Sequence, residues 1–441
     1  MAHSQGSIRD HARERHQPHV EVSEIAEHLE NLLTPAIHSQ QGYYRQLGMR
    51  SRILTLPLMV AAVLTLLWRN VPSVRELNRM LARENLLWAS AVKVSQSALS
   101  ERFLTFPSEL FEGVLKALLP VLSQRWQGRR FRPLPESLLV ARRHFPRIWI
   151  ADGSTLEALF RKLKSLEDVP LGQLAGKICA VIDLTTRLPV EVGFCTRPYT
   201  HETQFGTTLL SQVSPGTLLV LDRGFWDYSL FANIIDRQAA FITRLKNGAK
   251  YVINSELSTS WGHRDRLIRL GSGYQGNPIL TLRLIEIRQG QTWYRYLTSE
   301  LDPQILPPYV VADLYGRRWR IEESFYLLKR LLGLSYLWTG SANGIELQIW
   351  ATWLFYAVLI DLGDEVADAF ELPNERISLE MLWRSFYHFV NARARGDTQD
   401  WLSYILREDN QDLGVVKPLR KGRLKPPIDL SPTPGDRTLD K

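Results

Sequence analysis

Residues 217–224 read Thr-Leu-Leu-Val-Leu-Asp222-Arg-Gly, a strand-forming run that stops at a carboxylate and a glycine. An apolar run closed by turn residues predicts a strand that ends at Asp222. Upstream, Arg147-Ile-Trp-Ile-Ala151 leads into Asp152-Gly153 and repeats the pattern. Between them, Ile178–Leu184 and Pro189–Cys195 predict a hairpin across Thr185-Thr186-Arg187, and Ala240–Leu245 adds a fifth strand. Helical stretches fall at His201–Gln212 and Tyr228–Asp236. Adjacent strands followed by strand–helix–strand alternation predict an α/β fold, a mixed sheet with helices on its faces.

Toward the C-terminus, Tyr251–Thr298 alternates strand-like segments with the Gly-rich turn GSGYQGNP, predicting a β-rich insertion over about 250–305. Helix resumes near Pro308 and is expected to run past Lys329; Glu346–Leu362 is a long apolar helix within C-terminal helices over about 343–407. Toward the N-terminus, residues 21–140 read as an all-α domain. Val22–Leu33 is amphipathic, Ile53–Trp68 is a buried helix, and Ser73-Val-Arg-Glu76 has capping-box spacing. A further helix opens at Ser95, and this short helical pair fits a DNA-reading helix-turn-helix as well as an ordinary pair of helices. Residues 1–20 are expected to be disordered and the basic, Pro-rich tail 411–441 to form an arm. The α/β domain, with the C-terminal helices, is thereby placed at 141–410.

The chain has 441 residues, long for one hydrophobic core, and Lys plus Arg exceed Asp plus Glu by 54 to 46, a formal charge of +8. Arg-rich runs at 125–132, 317–320 and 417–425 favour a polyanionic partner, nucleic acid first, although any single run also reads as a solvated face. Cys179 and Cys195 are too few for a disulfide framework and lack metal-ligand spacing. The polar N-terminal segment lacks the apolar core of an export signal. Ile53–Trp68 falls short of the roughly 18–20 residues of a spanning helix. These features predict a cytoplasmic protein with no membrane partner.

A carboxylate closing one strand is ordinarily a turn former or a cap. Two such ends, Asp152 and Asp222, gain weight from a third carboxylate on the later helix. At about 100° per residue, with Arg318 at zero, Glu322 falls near 40°, Lys329 near 20° and Tyr315 near 60°. One face thus carries Tyr, Arg, Glu and Lys, and Glu323 points elsewhere. The plainer alternative is an exposed helix with an Arg–Glu pair worth a few tenths of a kcal/mol. Trp319, Phe325 and Tyr326 argue against a simply solvated surface.

The spacing Tyr315-x2-Arg318-x3-Glu322-x6-Lys329 resembles the Y-R-E-K motif of the insertion sequence 4 family of bacterial DDE transposases. Asp152 in IADGSTL, Asp222 in LVLDRGFWDYSLF and the strand AAFITRLK resemble that family's aspartate regions, covering about Phe145 to Leu334. The resemblance implies a ribonuclease H-like catalytic core with a β-rich insertion ahead of the glutamate-bearing helix. Asp152, Asp222 and Glu322 would hold two divalent ions, Mg²⁺ with Mn²⁺ as substitute. Arg318 and Lys329 would clamp backbone phosphates, with Tyr315 bonding or stacking beside them. An aromatic of the insertion would stack on a flipped base; Trp293 suits that place, Trp261 competes, and core packing is the ordinary role of either. The implied partners are double-stranded DNA, both element ends and target, and a second copy of the chain. A DNA-binding regulator without catalysis and a stand-alone nuclease with the same core remain the alternatives. His201-Glu202 reads as an ordinary helix start, and Asp183 and Asp227 lack the Asp-Arg-Gly context.

Overall fold

The computed structural model describes residues 23–50, 52–157, 174–197, 199–271, 276–334, 337–397 and 399–416. The expected disordered segment 1–20, most of the basic tail and much of the Gly-rich turn near 272–275 lie outside these residues. The chain groups into two compact units. Among the described residues, one comprises 23–133, 155–157, 174–176 and 326–416, the other 134–154 and 177–325.

The second unit is built on nine strands: β1 (Arg147–Glu157), β2 (Leu174–Asp183), β3 (Pro189–Cys195), β4 (Thr217–Leu221), β5 (Ala240–Arg244), β6 (Tyr251–Thr259), β7 (His263–Leu270), β8 (Leu280–Gln289) and β9 (Thr292–Thr298). They form one mixed sheet in the order β3-β2-β1-β4-β5-β9-β8-β7-β6. β1, β4 and β5 are parallel, whereas β2–β3 and β5–β9–β8–β7–β6 are antiparallel. The β-rich segment therefore extends the central sheet, joined to it through the β5–β9 ladder.

Strand alternation divides the apolar residues between two faces. Trp149, Ala151, Leu219, Leu221 and Phe241 are buried with Leu209, Leu230 and Phe231 from the helices Gly206–Gln212 and Tyr228–Asp236. The helix Pro308–Arg317, with Val310, Val311 and Leu314 buried, packs near β5, β8 and β9. Its start suits Pro308, because the first helical turn needs no amide partner there.

The first unit is helical. The expected buried helix is Leu56–Trp68, opened by Thr55, whose hydroxyl accepts from the Leu58 amide. Ser73 caps Val74–Leu81 through the Glu76 amide, and Ser95 caps Gln96–Thr105 through the Ala98 amide. Residues 82–95 separate these two helices, more than the three- or four-residue turn of a helix-turn-helix. The C-terminal helices, expected within the 141–410 segment, group with the N-terminal ones instead. Ala342–Ala369 is apolar on every side and long enough to cross a membrane, yet 89% of its most apolar window is buried inside the protein. Such a helix needs apolar neighbours all round, and the N-terminal helices supply them, with Arg125 and Arg129 pairing to its Asp361.

Candidate active site

The parallel register pairs Ile150 with Val220 and Ala151 with Leu221. Asp152 and Asp222 are therefore the next residues on neighbouring strands. Counted by alternation, both point to the face opposite Ala151 and Leu221. Asp152 does not end its strand, as its Gly-Ser context suggested. β1 continues to Glu157, and Gly153 is absent from the positive-φ glycines, so the Asp-Gly pair extends the strand rather than turning it. The Gly153 amide donates to Asp152 Oδ1 at 2.7 Å, and the Gly224 amide to Asp222 Oδ2 at 3.0 Å. Each carboxylate is held by the amide of the glycine that follows it.

The third carboxylate arrives on a helix in three pieces. Pro308–Arg317 ends at Arg318, Trp319–Tyr326 follows, and Leu327–Leu331 is π-helical. Ile321, Ser324 and Phe325 are buried, which fixes the rotation of Trp319–Tyr326 and leaves Glu322 half-buried. Glu323 is exposed and pairs with Arg320. Trp319 and Tyr326 are exposed, so of the three aromatics only Phe325 anchors the helix.

Arg318 brings the pieces together. Its Nη1 donates to Asp152 Oδ2, its Nη2 donates to Glu322 Oε1 at 2.9 Å, and its Nε lies 3.6 Å from Asp222 Oδ1. That Nε is buried without a hydrogen-bond partner. Tyr315 lies beside the group, with the Arg318 guanidinium 5.8 Å from its ring centre and Tyr296 packed against it at 5.4 Å. Burial pushes the Asp152 carboxyl up to about 7; Arg318 opposes this, and Asp222 and Glu322 add to it. Burial likewise raises the Tyr315 phenol, with Asp222 acting in the same direction. The Arg318 guanidinium is raised because the favourable influence of Asp152 and Asp222 outweighs its own burial.

Carboxylate oxygens are the hard donors that suit magnesium or manganese. In this structure the Arg318 guanidinium is the cation on which the three carboxylates gather. Among the described residues no three ligating groups converge on a single point at metal distances, because the carboxylates are spread around a fork wider than an ion. The fit is therefore one of chemistry and position, and the carboxylates must close further to share a metal.

Residues 144–358 match the family model described as transposase DDE domain. All three carboxylates and Arg318 fall within that matched segment. A relative from Sinorhizobium fredii (strain NBRC 101917 / NGR234), "Putative transposase y4zB", is 26% identical over 211 residues, covering 43% of this chain. The chain spans 57% of the length of that curated relative. Among solved structures, "Cryo-EM structure of piggyBac transposase synaptic complex with hairpin DNA" is similar over 91% of this chain and 87% of its own, with a TM-score of 0.37 and 12% identity.

The remaining sequence candidates fall elsewhere in the matched segment, residues 144–358. Lys329 is in the π-helical segment, which groups with the helical unit. Each residue of such an i→i+5 turn rotates somewhat less than the 100° used to place Lys329 on the Arg318 face. Trp293 is on β9 with the Arg264 guanidinium 4.6 Å from its ring centre; Trp261, at the β6–β7 turn, is exposed with Arg288 at 5.7 Å. Asp183 accepts from the Thr185 and Thr186 amides and shapes the β2–β3 turn, and Asp227 caps Tyr228–Asp236.

Sequence reading missed Glu202 and Lys177. Glu202 opens the short helix Glu202–Phe205, as its position suggested. Its side chain also pairs with Lys177 of β2 at 2.5 Å and lies against both Gly153 and Gly224. No local pattern marks this, because the contacts join four separate segments.

Proposed function

We propose that the chain is a DNA transposase of the Y-R-E-K group of the insertion sequence 4 family. It would bind the ends of its element, cut the phosphodiester and join the freed 3′-hydroxyl to target DNA. The observation that carries this reading is the gathering of Asp152, Asp222 and Glu322 around the Arg318 guanidinium, inside the segment that matches the transposase DDE domain. The central strands, with the first two aspartates side by side and a later helix bringing the glutamate, fit the ribonuclease H-like layout proposed for this core.

Asp152, Asp222 and Glu322 would hold two ions of Mg²⁺, or Mn²⁺ in its place. Bound there, the pair of cations supplies charge neutralisation at the attacking and leaving oxygens of an in-line displacement. The chain's own residues set the geometry. The Gly153 and Gly224 amides orient two of the carboxylates. Arg318 offers a planar cationic fork that can turn from carboxylate to a backbone phosphate, with Lys329 as a further phosphate contact. Tyr315 packs beside Arg318 and limits its swing. Trp293 is retained as a base-stacking candidate, with Arg264 over its ring. The helical segment 21–140 and the basic tail 411–441 would add DNA contacts, and two copies would hold two element ends. The setting would be the cytoplasm, on the nucleoid, without a membrane partner.

The test is incubation of the purified chain with Mg²⁺ or Mn²⁺ and duplex DNA carrying the terminal sequences of the element that encodes it. Metal-dependent cutting at the ends, abolished in Asp152→Ala, Asp222→Ala and Glu322→Ala while DNA binding persists, supports the reading. Binding without cutting under every divalent metal would favour a regulator, and cutting without dependence on paired ends or joining would favour a nuclease.

A further inference from the structure

Beneath the two aspartates, on the opposite face of the sheet, is an ion pair that the reaction above does not use. Lys177 of β2 and Glu202 meet at 2.5 Å, with side chains 11% and 18% exposed. Strand alternation turns Gly153 away from Asp152 and toward this pair. A β-carbon on Gly153 would stand 3.0 Å from Glu202 Cγ, Glu202 Oε1 and Lys177 Cε. A β-carbon on Gly224 would stand 2.7 Å from Glu202 Cδ and Oε2. Neither glycine is among those of positive φ. What a side chain at either position would meet is this pair, which would have to move to admit it.

These two glycines are also the ones whose amides hold Asp152 and Asp222. The side chain of Glu202 is thus wedged against both of these glycines at once. We propose that Glu202, tethered by Lys177, is a positioning residue that sets the spacing of the Asp152 and Asp222 carboxylates and so the affinity of the site for divalent metal. The proposal rests on the carboxylate-centre reading given above. Lys177 has a second part in it. Without that ammonium, Glu202 would be a largely buried carboxylate with no counter-charge, and a buried unpaired charge is costly. The pair therefore supplies the volume of a glutamate without an uncompensated charge.

The experiment measures Mn²⁺ binding to the full chain by electron paramagnetic resonance, without DNA, alongside thermal melting. Glu202→Ala removes wedge and charge, Glu202→Gln keeps the wedge, Lys177→Met frees the anion, and Gly224→Ala crowds the wedge. Residues that orient metal ligands typically change affinity about 10- to 100-fold. That loss is expected for Glu202→Ala and Lys177→Met, with Glu202→Gln recovering much of it. Gly224→Ala combined with Glu202→Ala should be less harmful than the sum of the two, since contacting residues couple. The idea is overturned if Glu202→Ala and Gly224→Ala bind Mn²⁺ like wild type while Asp152→Ala has lost it. If Asp152→Ala also binds normally, the carboxylate centre itself is wrong and the wedge falls with it.

Discussion

The two ends of the sheet face opposite physical demands. β4, in the parallel half, is buried at every position, whereas β6, at the antiparallel edge, is exposed at all but its first residue. In the buried half, Asp152 within β1 and Asp222 just after β4 are joined by Glu322 from the later helix, and one cation, Arg318, serves all three. In the edge half the ion pairs reach the surface, as where Arg266 bridges the exposed Glu256 and the less exposed Glu286. The exception is Arg283–Asp265, fully buried within β7 and β8, whose guanidinium also donates to the Leu306 carbonyl at 2.7 Å. Charge at this sheet is therefore placed by burial, and the buried placements bear on the start and end of the Pro308–Arg317 helix.

The largest expected effect breaks that exception. Arg283→Met leaves Asp265 buried and unpaired, at a cost of about 3–5 kcal/mol in urea denaturation, unchanged by added metal. Next, Leu219→Ala in β4 should cost about 2–5 kcal/mol, because a fully buried leucine leaves a cavity. Third comes pH. The folded Asp152 carboxyl is raised to about 7 from its ordinary 3.8, so the folded state binds the proton more tightly than the unfolded one. In chelator, stability should fall as pH rises from about 4 to about 7, and Asp152→Asn should flatten that slope, both read by melting temperature. Smallest, Glu256→Gln and Val252→Ala in the exposed strand β6 should change stability by less than about 1 kcal/mol; a larger loss there would show that this edge is covered in solution.

Much of the sheet was legible because β-strand boundaries follow local composition. β3 and β4 lie at the residues the sequence predicted, and the hairpin turn at Asp183–Leu188 is a local structure. The strand character of Asp152-Gly153 was not legible, since Asp-Gly has the composition of a turn and the packing of Gly153 against Glu202 joins distant segments. The 308–331 helix was found, but not its division at Arg318 and its π-helical end, because those depend on what each turn packs against. The grouping of the C-terminal helices with the N-terminal ones was invisible for the same reason: an all-round apolar helix states that it is buried, and not by which segment. Glu202 and Lys177 were missed since their meaning lies in contacts with residues 153 and 224. Whether the three carboxylates act as a catalytic set was inferred from motif spacing, and their meeting on Arg318 supports that inference without supplying the ions.

The most direct measurement is a crystal of the full chain soaked in manganese chloride, with anomalous scattering used to locate the metal. The account predicts density bounded by Asp152, Asp222 and Glu322, with the Arg318 guanidinium turned away from the carboxylates. Manganese bound elsewhere, or Arg318 still bridging all three carboxylates at saturating metal, would contradict it.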